Sequence, residues 1–111
     1  MTPEQLYDIL SKYAQSQGIR LNKDREFVMG IMRGLLTNEQ RYGYRSCPCR
    51  LSWADKAKDK DITCPCVYRD PDIKEFGSCY CELYVSVEWN EGAIEHKQVP
   101  ERRPKELRRM V

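Results

Sequence analysis

The chain has 111 residues, enough for one domain, and its formal net charge of +2 gives no reason in itself to expect a nucleic-acid partner. With 32% of residues charged the apolar core is modest, and domains of this size commonly need a disulfide or metal staple. Apolar runs are too short to span a bilayer, and the opening MTPEQLYDIL lacks the apolar centre of a signal peptide, so the expected compartment is the cytoplasm, with no membrane contact.

Thr2-Pro3-Glu4-Gln5 predicts a helix start, with Thr2 as cap, Pro3 at the first helical position and Gln5 closing a capping box. Leu6, Ile9, Leu10, Tyr13 and Ala14 then form one apolar stripe, and Gly18 is the expected stop. A second helix is predicted from near Asn22, taken as its cap, to Gly43. Its buried face reads Phe27, Val28, Ile31, Met32, Leu35 and Leu36. Gly30 and Gly34 each cost about 1 kcal/mol of helix propensity relative to alanine. Their spacing places them on one face, either to admit a close neighbour or simply as tolerated glycines.

Six cysteines follow as three C-x-C pairs: Cys47 and Cys49, Cys64 and Cys66, Cys79 and Cys81. The prolines of the first two pairs make stiff, extended corners. Between them, Arg50 to Lys60 is expected to form a short helix with Trp53 and Ala57 inward. Asp70-Pro71-Asp72 starts another helical turn that runs to Gly77. Leu83 to Trp89 reads as extended, and Asn90-Glu91-Gly92 as a turn. From Gln98 the chain is a polar tail, surface-hugging or mobile, so the organisation is a domain over 1–97 and a basic tail over 98–111.

Without export, clustered cysteines point to metal ligation or redox chemistry rather than structural disulfides. Four thiolates suffice for tetrahedral zinc or an iron–sulfur cluster. None of the pairs has the two-to-four-residue spacing of a zinc knuckle. A Rieske centre needs two histidines, and His96, in a polar segment, is the only one. Zinc, an iron–sulfur site and three disulfides all stay open on these grounds. Four ligands plus two further thiols is the arithmetic of a cluster with an attached dithiol.

The order CPCR, CPC, C-x-C, preceded by EQLYDILSKYAQ and GIRLNKDREFVMGIMRGLL, resembles the catalytic subunit of ferredoxin:thioredoxin reductase over Glu4 to Asn90. The resemblance implies a small, mainly α domain wrapped around a [4Fe-4S] cluster, with short helices joined by Cys-Pro-Cys corners. It implies Cys47, Cys64, Cys66 and Cys79 as the cluster ligands, and a redox-active disulfide between Cys49 and Cys81. Electrons would pass singly from ferredoxin, through cluster and disulfide, to thioredoxin or a thioredoxin-like protein. Cys49 would attack the acceptor disulfide and Cys81, associated with the cluster meanwhile, would resolve the mixed disulfide. A variable subunit is a further candidate partner. The alternative is a non-enzymatic iron–sulfur electron-transfer or redox-sensing module with an inert Cys49/Cys81 pair.

Two departures point to a divergent prokaryotic branch. Tyr80 stands where plant-type members carry a histidine, and its phenol titrates near pH 10 when unperturbed. A proton role for Tyr80 and simple packing over the cluster are both open. The stretch from Tyr68 to Ser78 is also longer than its counterpart. The tail, ERRPKELRRM, carries five basic and two acidic residues. Such a surface suits steering of an acidic ferredoxin. No aromatic platform or groove-reading motif accompanies the charge, so nucleic acid is not expected.

Overall fold

The structure is a computed structural model that describes residues 1–109; Met110 and Val111, the end of the basic tail, lie outside the described residues. Helix α1 (Pro3–Ser16) opens as predicted. The Gln5 N–H donates to Thr2 Oγ1 and the Thr2 N–H to Gln5 Oε1, which satisfies two of the free donors at the helix start. Leu6, Leu10 and Ala14 are buried, but Ile9 is 49% exposed: the covered face is the single row at four-residue spacing, narrower than the expected stripe. The chain turns through Gly18 (φ +75°) into strand β1 (Arg20–Leu21).

Helix α2 (Arg25–Tyr42) is capped by Asp24, whose Oδ1 accepts from the Phe27 N–H, and not by Asn22. Asn22 has a different task. Its Oδ1 accepts from the Asp24 N–H and its Nδ2 donates to Glu82 O, tying the helix entrance to the chain just past the last cysteine. The later start leaves Phe27 in the first turn at 43% exposure, while Val28, Met29, Ile31, Met32 and Leu35 are buried and Leu36 is half-buried. Gly43, left-handed, ends the helix as expected. Only one of the two helical glycines admits a neighbour. A Cβ on Gly34 would come within 2.9 Å of Pro48 Cβ, whereas on Gly30 the nearest atom is an Arg33 guanidinium nitrogen at 3.8 Å.

Helix α3 (Arg69–Phe76) ends at left-handed Gly77, close to the predicted turn. Leu83 to Trp89 is extended only in β2 (Tyr84–Val85), which pairs antiparallel with β1, Arg20 opposite Val85. Ser86 then caps α4 (Val87–Glu91) through the Trp89 N–H, so side-chain capping overrides the β-rich composition. The helix expected over Arg50 to Lys60 is absent. There Ser52 and Asp55 side chains accept from the N–H groups of Ala54, Ala57 and Lys58, and buried Asp59 accepts from the Trp53 N–H. These bonds use the donors a helix would need, and only a 3-10 turn forms, at Lys60–Ile62.

Helices α1 and α2 pack on each other and on Leu21, Ile62, Leu83 and Tyr84, and Cys47, Cys79 and Cys81 belong to the same buried cluster. The body is small and mainly helical, 38 × 32 × 22 Å. Described residues of the tail lie along this body. Val99 is buried, Arg103 is 1% exposed and ion-paired to Asp61, Arg102 pairs with Asp72, and Trp53 Nε1 donates to Leu107 O. No helix among the described residues is long and apolar enough to cross a membrane.

Candidate metal centre

Backbone bonds gather the three cysteine pairs. Ser46 and Thr63 form an antiparallel bridge, flanked by Cys47 N–H to Ile62 O at 2.8 Å and Cys64 N–H to Arg45 O at 2.7 Å. This sets the first two pairs side by side, though their corners differ, since the Cys64–Pro65 peptide is cis. The third pair is set by the Cys79 N–H, which donates to Tyr84 O, and by the Tyr84 N–H, which lies 3.4 Å from Cys79 Sγ. Tight turns enclose the first and third pairs and follow the second: the N–H of Arg50, Glu82 and Arg69 donates to the carbonyl of Cys47, Cys79 and Cys66 respectively.

Cys47, Cys64, Cys66, Cys79 and Cys81 consequently line one pocket beneath α2. Cys49 is exposed and lies instead in a shallower surface pocket with Leu51, Tyr80 and the tail residues Glu101, Arg103, Arg108 and Arg109. All six thiols are free. Cys47 Sγ and Cys81 Sγ are 2.8 Å apart, and the sulfurs of Cys47, Cys49 and Cys81 lie within 4.8 Å of one another, a group close enough to hold a metal ion.

The environments divide the thiols. Burial raises the pKa of Cys64 and Cys66, and raises Cys79 to about 11. Hydrogen bonding to Cys47 raises Cys81, while hydrogen bonds from Cys47 and Cys81 lower Cys49. Burial opposes ionisation of these thiols, and a cation that replaces the proton would hold them as thiolates.

Four residues around the cysteines were not singled out individually from the sequence. Arg50, with a 2% exposed side chain, places Nη1 3.5 Å from Cys47 Sγ and 3.7 Å from Cys66 Sγ. Glu101 grips the same guanidinium through two hydrogen bonds at 2.9 Å. Buried Arg69 lines the pocket, donating to Tyr13 OH and lying 5.2 Å from the centre of the Tyr84 ring. Tyr84 also lines the pocket, and its buried hydroxyl has no partner among the described residues. Only Arg50 carried a sequence signal, as the fourth letter of CPCR. Tyr80 lines both pockets, with the Arg50 guanidinium 4.4 Å above its ring, and burial raises its pKa further. Exposed His96 stacks on Trp89 with ring centres 3.6 Å apart and takes no part in the cysteine site.

Comparison with known proteins gives a family match over nearly the whole chain. The model of the family described as ferredoxin thioredoxin reductase catalytic beta chain matches residues 2–107. A curated relative, the ferredoxin-thioredoxin reductase, catalytic chain, of Porphyra purpurea, is 30% identical over 77 residues, covering 67% of this chain. The match spans 61% of that relative's length, less than two thirds.

Proposed function

Since the chain belongs to the ferredoxin thioredoxin reductase catalytic beta chain family, we propose that it is an iron–sulfur oxidoreductase that reduces a protein disulfide with electrons taken from ferredoxin. The supporting observation is the contrast at Cys49: an exposed sulfur within 4.8 Å of buried Cys81, at the edge of a pocket lined by four further cysteines. Cys47, Cys64, Cys66 and Cys79 are the proposed ligands of one [4Fe-4S] cluster. The pocket fits such a group in its chemistry. It offers four sulfur donors, two arginines to balance an anionic thiolate-bound centre, and a Tyr84 hydroxyl still able to donate. When bound, the cluster supplies electrons one at a time, which matches a one-electron donor to a two-electron disulfide.

In this reading Cys49 and Cys81 form the redox-active disulfide of the resting state. Two electrons from ferredoxin and two protons convert it, in net terms, to two thiols. The Cys49 thiolate, at the exposed edge of the site, attacks the acceptor disulfide, releasing one acceptor sulfur and forming a mixed disulfide. Cys81 then displaces the second acceptor sulfur and restores the Cys49–Cys81 bond. The proposed acceptor is thioredoxin or a thioredoxin-like protein. Tyr80, beside Cys81 with its phenol pKa raised, is suited to fix Arg50 through its ring and to donate a hydrogen bond.

The test is a pair of variants. Cys49→Ser should keep iron and labile sulfide yet form no mixed disulfide. Cys81→Ser should keep them and trap Cys49 on its target, visible as a covalent adduct. If both variants reduce thioredoxin at the native rate, the reductase reading fails and an electron-transfer module remains. Stoichiometric zinc without labile sulfide in protein matured with iron would refute the cluster.

A further inference from the structure

Arg50 and Glu101 stand 51 residues apart in sequence yet form a two-pronged ion pair at the cysteine pocket. The guanidinium faces two proposed ligand sulfurs, of Cys47 and Cys66, on one side and the Glu101 carboxylate on the other. Tyr80 and Tyr68 cover its faces, with ring centres 4.4 and 5.4 Å away. The contacts close into a ring. Glu101 Oε1 accepts from the Arg103 N–H, Arg103 pairs with Asp61, Asp61 accepts from Tyr68 OH, and Tyr68 lies under Arg50. Arg50 is therefore held by the C-terminal segment, not only by its own motif.

We propose that Arg50 is a positioning residue that raises the reduction potential of the bound cluster, and that Glu101, reaching in from the C-terminal segment, offsets part of that effect. The proposal rests on the cluster reading given above. Reduction adds negative charge to the centre. A buried guanidinium donating to two ligand sulfurs stabilises the reduced state, since charge and hydrogen bonds at the sulfurs are among the factors that set cluster potentials. The Glu101 carboxylate acts against this through its own charge. The screening is weak because the pair is largely withdrawn from solvent. The C-terminal segment is thus part of the electronic environment of the redox centre.

The test compares midpoint potentials of the holoprotein in redox titrations followed by absorbance or electron paramagnetic resonance. R50Q should shift the potential negative and E101Q positive. R50K, which keeps charge but lacks the planar fork, should fall between R50Q and the native protein. In limited proteolysis R50Q and E101Q should both release the segment after Pro100 faster than the native protein does. Unshifted potentials in R50Q and E101Q, or shifts of the same sign, would overturn the proposal, because general loosening moves both alike. If R50Q assembles no cluster, E101Q decides: a positive shift upholds the inference and a null or negative one rejects it. Native protein that holds no iron–sulfur cluster at all overturns the cluster reading and this inference with it. A bound cluster with unshifted potentials overturns this inference alone.

Discussion

Residues 3–42 are two helices, with the short strand β1 between them, that bury Leu6, Leu10 and Ala14 of α1 with Val28, Met32 and Leu35 of α2. Residues 44–109 have little regular structure, and much of their interior is polar. Asp59, fully buried, accepts from Tyr44 OH, Ser52 Oγ and the Trp53 N–H, and lies 3.7 Å from Arg103. The first region is held by apolar area, each covered Leu contributing about 1.5–3 kcal/mol. The second is held by specific bonds between segments far apart in sequence. Apolar packing tolerates substitution of similar volume, whereas a buried charge deprived of its partner is left with an uncompensated cost. The two regions should therefore break differently.

The largest effect is expected at the proposed ligands. Cys66→Ser should abolish cluster assembly, seen as loss of iron and labile sulfide, while much of the helical circular dichroism of α1 and α2 persists. Complete loss of helical signal would show that the two regions do not separate. Next, Asp59→Ala removes the acceptor of the Tyr44 hydroxyl, the Ser52 hydroxyl and the Trp53 N–H, while Arg103 keeps Asp61, and should cost about 2–4 kcal/mol in denaturant unfolding, since a buried donor left unsatisfied costs about 1–3 kcal/mol. A cost near that of an exposed substitution would remove the polar centre from this account.

A smaller pair of substitutions sharpens the boundary between the regions. Gly34→Ala drives a methyl group against Pro48 and should cost about 1–3 kcal/mol. Gly30→Ala meets only a flexible guanidinium and should stabilise the helix by about 1 kcal/mol. Equal effects of the two would mean that α2 does not press on the first cysteine corner. The smallest effect concerns the tail. Arg108 and Arg109 share the surface pocket of Cys49, so their charge sits where an acceptor would be attacked. Replacing both with Gln should slow acceptor association at low salt by less than about tenfold and flatten its salt dependence. If only the reaction with ferredoxin changes, the tail serves the donor, as its basic composition alone suggests. Truncation after Pro100 is the poorer test, because it removes Glu101 and the buried Arg103 with its ion pair.

The sequence by itself determined the features built from bonds between near neighbours. The Thr2–Gln5 box, the glycine stops at Gly43 and Gly77, and the helices between such signals were legible because capping acts over three or four residues. The three C-x-C pairs in their order were enough to indicate the family. Tertiary structure decided the rest. It selected Gly34 over Gly30 as the close contact, since only one of them meets Pro48. It unwound Arg50 to Lys60, since buried Asp59 and the neighbouring Ser52 and Asp55 side chains take up backbone donors there. It exposed Ile9 and Phe27, since helical periodicity gives the direction of a face but the neighbouring elements set its width. It also joined Glu101 to Arg50, a pairing invisible to any local pattern because the chain must fold over the cysteine pocket before the two charges meet.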